Sequence, residues 1–255
     1  MMNLKKLALA NQLSQQCDDL LSGPLEFKKA LSLAKEALKI REKILGDLHP
    51  STIKSIKDVG ALLLEVGRAD EALPVILRGV RSLDGLYGAD SKEYTYGMSL
   101  LSRCHEALGN YSEALKCLEN HLLIQLRGDE VGWATLTKIS IGRCLHKLGR
   151  SELAILYLED ARTISKDPEN SGYRGELKAF LELAVIERDL RGKKGLNNLF
   201  ERIAIAVVQF NEWQERRAPK QLKGIAKIYQ EAGLNEIAHE IEAVIDEITK
   251  KYPKL

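Results

Sequence analysis

Cysteine is scarce in this chain, and what little there is argues against a metal or disulfide framework. Cys17, Cys104, Cys117 and Cys144 form no CxxC pair, and no His/Cys cluster stands at zinc spacing. All four fall in segments that read as helical, so they are expected to be buried free thiols of a reducing compartment. A charge excess is missing too: 38 Lys and Arg stand against 36 Asp and Glu. No global field therefore draws the chain to nucleic acid or to a membrane surface. No stretch approaches the ~18 apolar residues of a membrane span. In the opening MMNLKKLALANQLSQQ the apolar run ends too soon for a secretion signal and has no small-residue cleavage site. With 45% apolar and 29% charged residues the chain is neither disordered nor membrane-embedded. The expectation is a cytoplasmic protein that binds no nucleic acid and inserts in no membrane.

Signatures of catalysis are missing as well. There is no GxGxxG, Walker loop, GxSxG or HExxH. No two of His49, His105, His121, His146 and His239 share a helix face at i, i+4. The reading is of a non-enzyme with no cofactor, no metal and no catalytic residue. Trp133 and Trp213 are the largest apolar side chains and are expected to pack between helices.

What is present is a period. Gly67, Gly109, Gly149, Gly192 and Gly233 each close an apolar-periodic segment, at spacings of 42, 40, 43 and 41 residues. Seven or eight residues before each lies a small residue: Gly60, Ser102, Gly142, Ala184 and Ala226. Five residues after it stands Ala72, Ala114, Ala154 or Ala238, with Asn197 the exception. A left-handed Gly ends one helix and turns the chain, and the two small residues let the helices of a pair approach. The predicted pairs are 3–22 with 25–45, 51–66 with 69–86, 90–108 with 111–126, 131–148 with 151–166, 172–191 with 194–212, and 216–232 with 235–251. His49-Pro50, Asp167-Pro168 and Ala218-Pro219 mark turns or first helical turns, and Pro74 is placed in the first turn of its helix.

A small residue, a turn Gly and a second-helix Ala at these positions resemble the tetratricopeptide consensus, lengthened from 34 to about 42 residues. The stretch from Ala37 to Pro50, with its Leu45-Gly46 step and His49-Pro50 turn, looks like the kinesin light chain variety. Leu86-Tyr87-Gly88 and Leu126-Arg127-Gly128 repeat the step. The resemblance implies an all-α fold, an α-solenoid coiled as a right-handed superhelix of about six antiparallel helix pairs, in a single domain over 1–255. It also implies a concave groove lined six and three residues before each first-helix small residue and one and four after it. Nine of those twenty positions are Lys or Arg: Lys54, Lys57, Arg103, Arg143, Lys178, Arg188, Lys220, Lys223 and Lys227. Tyr96 lies among them, with an apolar patch at the centre. Glu106 is the one acidic residue at these positions; Asp58, Glu65, Glu182, Glu187 and Glu231 are expected on other faces, and Glu152 and Glu159 on a second helix, away from the groove.

This distribution describes a scaffold or adaptor whose basic groove takes an acidic or amphipathic peptide segment of another protein. Two other uses fit the same sequence: the helical-repeat regulatory half of a larger enzyme, or a structural subunit of a multiprotein assembly.

Overall fold

The computed structural model describes residues 2–22, 26–127, 131–165, 175–209, 216 and 218–253. Gly128, the Asp167-Pro168 turn and Trp213 lie outside them. Among the described residues there are eleven helices and no strand. They are α1 (Met2–Ser22), α2 (Phe27–Leu45), α3 (Pro50–Glu65), α4 (Ala69–Tyr87), α5 (Lys92–Ala107), α6 (Tyr111–Arg127), α7 (Val131–Lys147), α8 (Ser151–Ser165), α9 (Gly175–Val208, broken at Gly192), α10 (Ala218–Glu231) and α11 (Asn235–Lys251). The architecture is an all-α solenoid of helical hairpins. Its first, or A, helices are α1, α3, α5, α7, residues 175–191 of α9, and α10. The chain divides into two compact units, Met1–Ile124 and Gln125–Leu255.

The hairpin corners follow from backbone chemistry. Gly67, Gly109, Gly149 and Gly233 have φ between 70° and 76°, the left-handed region that a side chain disfavours by about 1–2 kcal/mol. Each corner is a Schellman cap. At Gly67, Arg68 N–H donates to Leu63 O at 2.8 Å and Gly67 N–H to Leu64 O at 3.0 Å; at Gly109 the bonds run from Asn110 to His105 and from Gly109 to Glu106. At the other end of the helices, His49 Nδ1 accepts from Ser51 N–H and Ser91 Oγ from Tyr94 N–H, satisfying amides that the first turn leaves open. Pro74 is not in a first turn but is the sixth residue of α4. Its missing N–H leaves the Asp70 carbonyl without an intrahelical donor, at an exposed end of the helix.

In Met1–Ile124 the second hairpin interlocks reciprocally. A Cβ on Gly60 of α3 would fall 2.7 Å from Ile76 Cγ1 of α4, and a Cβ on Gly79 of α4 would fall 2.9 Å from Ile56 Cγ2 of α3. Each isoleucine, at most 2% exposed, therefore occupies the space that the other helix's glycine leaves. Gly97 of α5 receives Leu83 in the same manner. The core continues through Ala30, Leu31, Ala34, Val59, Leu63, Ala72, Leu101 and Cys104. Arg41 of α2 is also inside, at 6% exposure, and holds α1 and α3 by donating to Ser14 Oγ, Asn11 Oδ1, Ala10 O and Ser55 Oγ.

In Gln125–Leu255, Gly142 of α7 admits Leu158 of α8, whose Cγ would be 2.8 Å from an added Cβ. Ala154, Ala184 and Ala238 are fully buried. The fifth corner differs. Gly192 has φ 57° and ψ −140°, outside the helical cap geometry, and the close approach is supplied by Gly195, whose Cβ would meet the Glu187 carbonyl at 2.9 Å. That shift explains why Asn197 breaks the small-residue pattern. All four cysteines are free and buried, and burial pushes the Cys117 thiol up to about 11.

Two predictions follow from the corner and the interlock. Gly109→Ala, with no atom within 4 Å of its added methyl, should cost about 1–2 kcal/mol through backbone strain alone. Gly60→Val should cost about 1–3 kcal/mol through overpacking, and Ile76→Ala in the same chain should recover part of it. Urea unfolding of wild type and these three variants measures both.

Candidate functional site: the cation-bearing faces of the A helices

The helical period puts residues three and four apart on one stripe, so each A helix presents its cations as a column. Lys54 and Lys57 stand on α3, Tyr96 and Arg103 on α5, Arg143 on α7, Lys178 and Arg188 on the first half of α9, and Lys220, Lys223 and Lys227 on α10.

In Met1–Ile124, Lys57 Nζ lies 4.4 Å from the centroid of the Tyr96 ring, a cation–π contact worth about 0.5–1 kcal/mol at an exposed site. Tyr96 is 56% exposed. Arg103 Nη2 donates to Glu65 Oε1 at 2.8 Å. Lys54 is exposed and, among the described residues, forms no ion pair or hydrogen bond. Asp58, one turn further along α3, turns inward and lines a small void with Ser14, Cys17, Asp18, Ala34 and Ser55. Burial raises its carboxyl above the ordinary range, only partly countered by Lys54.

In Gln125–Leu255 the arginines are tied across successive A helices. Arg143 Nη1 donates to Glu182 Oε1 at 2.9 Å and Arg188 Nη1 to Glu231 Oε2 at 3.2 Å. His146 Nε2 lies 3.1 Å from Asp189 Oδ2, while its Nδ1 lies 2.9 Å from Ser151 Oγ. Asp189 also accepts from Arg188. The Ser–His–Asp group thus fastens the end of α7 to the start of α8 and to the first half of α9, with its carboxylate already engaged by an arginine. Ile139, three residues before Gly142 and so at one of the groove positions, is 4% exposed and belongs to the core. Lys220 and Lys223 are exposed and without an ion pair or hydrogen bond among the described residues, and Lys227 lies 3.8 Å from Glu231.

Three expectations are corrected by this geometry. Glu65, Glu182 and Glu231 do not face away from the cations; they neutralise Arg103, Arg143 and Arg188. They sit at the border of the stripe, three or four residues from a groove position, and their side chains reach into it. Glu159 does lie on α8, but it is not an idle surface charge. It accepts from Arg162 Nε at 3.1 Å and from Arg202 Nη2 at 2.5 Å, and both guanidinium groups lie over the Phe180 ring. Trp133 is 53% exposed, so it is not enclosed between helices. Arg41, a buried cation serving three helices, had no counterpart in the sequence reading.

Among the described residues no group of three His, Cys, Asp or Glu side chains could hold a metal ion, and no helix is long and apolar enough to cross a membrane.

Burial alone would raise the carboxyls of Glu159 and Asp189, but their arginine partners, with His146 at Asp189, outweigh it and hold both below their ordinary values. Groups lowered by folding stabilise above the unfolded pKa and cease to do so as pH falls through the folded one. Melting temperature should therefore drop as pH falls below the ordinary glutamate value of 4.5, and Glu159→Gln should flatten that acid limb in a calorimetric series. Arg41→Ala should cost about 3 kcal/mol, since it strands acceptors on both α1 and α3 and removes the group that ties them to α2 at this point.

Comparison with known proteins places these faces in a wider setting. The tetratricopeptide repeat family matches residues 94–167, and a second family of the same description matches residues 26–51. A clustered mitochondria protein homolog of Culex quinquefasciatus is 28% identical over 200 residues, 74% of this chain. The chain spans 14% of that relative's length. The solved kinesin light chain nearly identical TPR-like repeats of Podosopora anserina superpose with a TM-score of 0.59 at 17% identity, over 98% of this chain and 99% of that one. A Rap protein complexed with competence and sporulation factor gives 0.59 at 15% identity, over 96% of this chain and 65% of that one.

Proposed function

Since this chain is a tetratricopeptide-repeat protein with repeats like those of kinesin light chains, we propose that it is a non-enzymatic scaffold or adaptor of the cytoplasm. It binds an acidic or amphipathic segment of another protein on its A-helix faces. The observation that carries this reading is a division of labour among the cations. Arg103, Arg143 and Arg188 are committed to carboxylates of neighbouring A helices, whereas Lys54, Lys220 and Lys223 stand exposed with no ion pair among the described residues. A lysine tied into no ion pair or hydrogen bond keeps its ammonium accessible to an incoming carboxylate. Tyr96, half-exposed beside Lys57, supplies the apolar surface on which a hydrophobic side chain of the segment can rest. The similar Rap protein was solved with a bound factor, which supports a ligand-binding use of such helix stacks.

Affinity would come from the buried anchor, while the lysines set register and association rate. A fluorescent peptide with acidic residues flanking one leucine should bind, and its affinity should fall at least tenfold from about 50 to about 300 mM salt, because exposed charges are screened over ~8–10 Å or less. Lys54→Glu or Lys57→Glu should chiefly slow association, and Tyr96→Ala should chiefly speed release. Glu152→Lys, on α8, should change neither. Equal binding of a basic peptide of the same length would refute the reading.

A further inference from the structure

Asp58 stands two residues before the buried Gly60 of α3, on the side that meets α1. Its carboxyl borders a void of about 10 Å³, room for one water molecule. The walls come from three helices: Ser14, Cys17 and Asp18 of α1, Ala34 of α2, and Ser55 of α3 itself. The two carboxylates, Asp18 and Asp58, thus face one small space from two different helices. Like charges brought together in this way disfavour ionisation of the more enclosed one.

The groups around them do not cancel this. Arg41 of α2 borders the same space, but its guanidinium donates to Ser14 Oγ, Ser55 Oγ, Asn11 Oδ1 and the Ala10 carbonyl. Lys57 lies over the Tyr96 ring, and Lys54 is exposed to solvent. Among the described residues Asp58 makes no ion pair and accepts no hydrogen bond. Burial, then Asp18 and Asp58, push the Cys17 thiol up, so α1 brings no charge to the void besides Asp18. For Asp58 burial is the largest influence and raises its carboxyl, and Asp18 adds to it. Lys54, Lys57 and Arg41 oppose the rise without reversing it.

We infer that Asp58 is a proton-operated latch between α1 and α3: protonated, it lets α1 close on α3, and ionised, it loosens that contact. A protonated carboxyl is a donor and can bond across the void to Ser14 or Asp18, directly or through one water. The ionised form has only acceptors to offer, and it faces another carboxylate. When α1 lifts away, the void opens to solvent and Asp58 recovers its ordinary value of 3.8. The closed junction therefore binds the proton more tightly than the open one. Its contribution to closure is full below 3.8 and is lost as pH rises through the closed-state value. Glu159 and Asp189 of the other unit have the reverse sign, because their partners lower them. An asparagine would fill the place of Asp58 with no charge to desolvate, so the carboxylate costs stability at neutral pH that packing does not require. The latch does not depend on what the lysines of α3 bind.

Hydrogen exchange of the full chain, read by mass spectrometry and corrected for the intrinsic pH dependence of exchange, tests the latch. Protection of the Ala10–Asp18 stretch of α1 should rise about threefold or more from about pH 7 to about pH 4.5, while α8 stays level or loses protection. Asp58→Asn should bring α1 at neutral pH to the acid wild-type level or beyond and abolish the response. Asp18→Asn should shrink the response without abolishing it. Wild-type protection of α1 that is flat across this range, or that falls in acid, would overturn the inference. So would a loss of α1 protection at neutral pH in a folded Asp58→Asn chain, since the ionised carboxylate would then be holding the junction. Should that variant fail to fold, the wild-type series beside Asp18→Asn decides: an equal response in the two overturns the latch, and a smaller one in Asp18→Asn upholds it.

Discussion

Ile56 and Ile76 each fill the space left by a glycine on the opposing helix, and this pair of contacts decides how near α3 and α4 can come. Helices that meet at such small residues pack with backbones close, and larger side chains around the contact fix their rotation. Once rotation is fixed, every other residue of the A helix has an assigned direction. The same device, with Gly97 against Leu83 and with Gly142 against Leu158, recurs in both units. The positive-φ glycines are subordinate to it: they permit the turn, but the interlock decides which face points outward.

On the faces so defined, charge serves two purposes. Arginine and glutamate on adjacent A helices form contacts about one repeat apart in sequence, 38 residues for Glu65 and Arg103 and 43 for Arg188 and Glu231. Each is an exposed pair worth only a few tenths to 1 kcal/mol. Their value lies in register, because a hairpin rotated or shifted by one turn would oppose the wrong residues. The planar guanidinium suits this fixed role, and the flexible ammonium suits a contact made and broken with a partner. Glu159, shared by Arg162 and Arg202 over Phe180, shows the B helices using the same chemistry on their own layer.

The sequence showed most of the fold because its signals are local. A left-handed glycine, a small residue seven or eight positions before it and an alanine five after are all set by the immediate backbone and the nearest helix. The five corner glycines and the hairpin limits were legible for that reason. Which cations are free was not legible. A groove stripe is about 100° wide, and Glu65, Glu182 and Glu231 sit on its border, so a wheel of one helix places them elsewhere. Their partners lie on another helix some 40 residues away, and only the stacked structure brings the two together. Arg41 escaped notice for the same reason: its acceptors come from α1 and α3, and nothing around residue 41 foretells them. Gly192 departs from its fellows because Gly195 takes over the close contact, a substitution invisible to a count of spacings.

The central claim is that the interlocked hairpins leave a specific set of A-helix lysines uncommitted for a partner. Lysine acylation followed residue by residue with mass spectrometry tests it most directly, first on the free chain and then on the chain captured with whatever it binds. The account predicts fast modification of Lys54, Lys220 and Lys223 in the free chain and slow modification of Lys138, which is 11% exposed and paired with Asp160. In the captured complex it predicts protection of those A-helix lysines while Lys39 and Lys116 of the B helices stay reactive. Protection confined to Lys39 and Lys116, with Lys54, Lys220 and Lys223 as reactive as before, would contradict it.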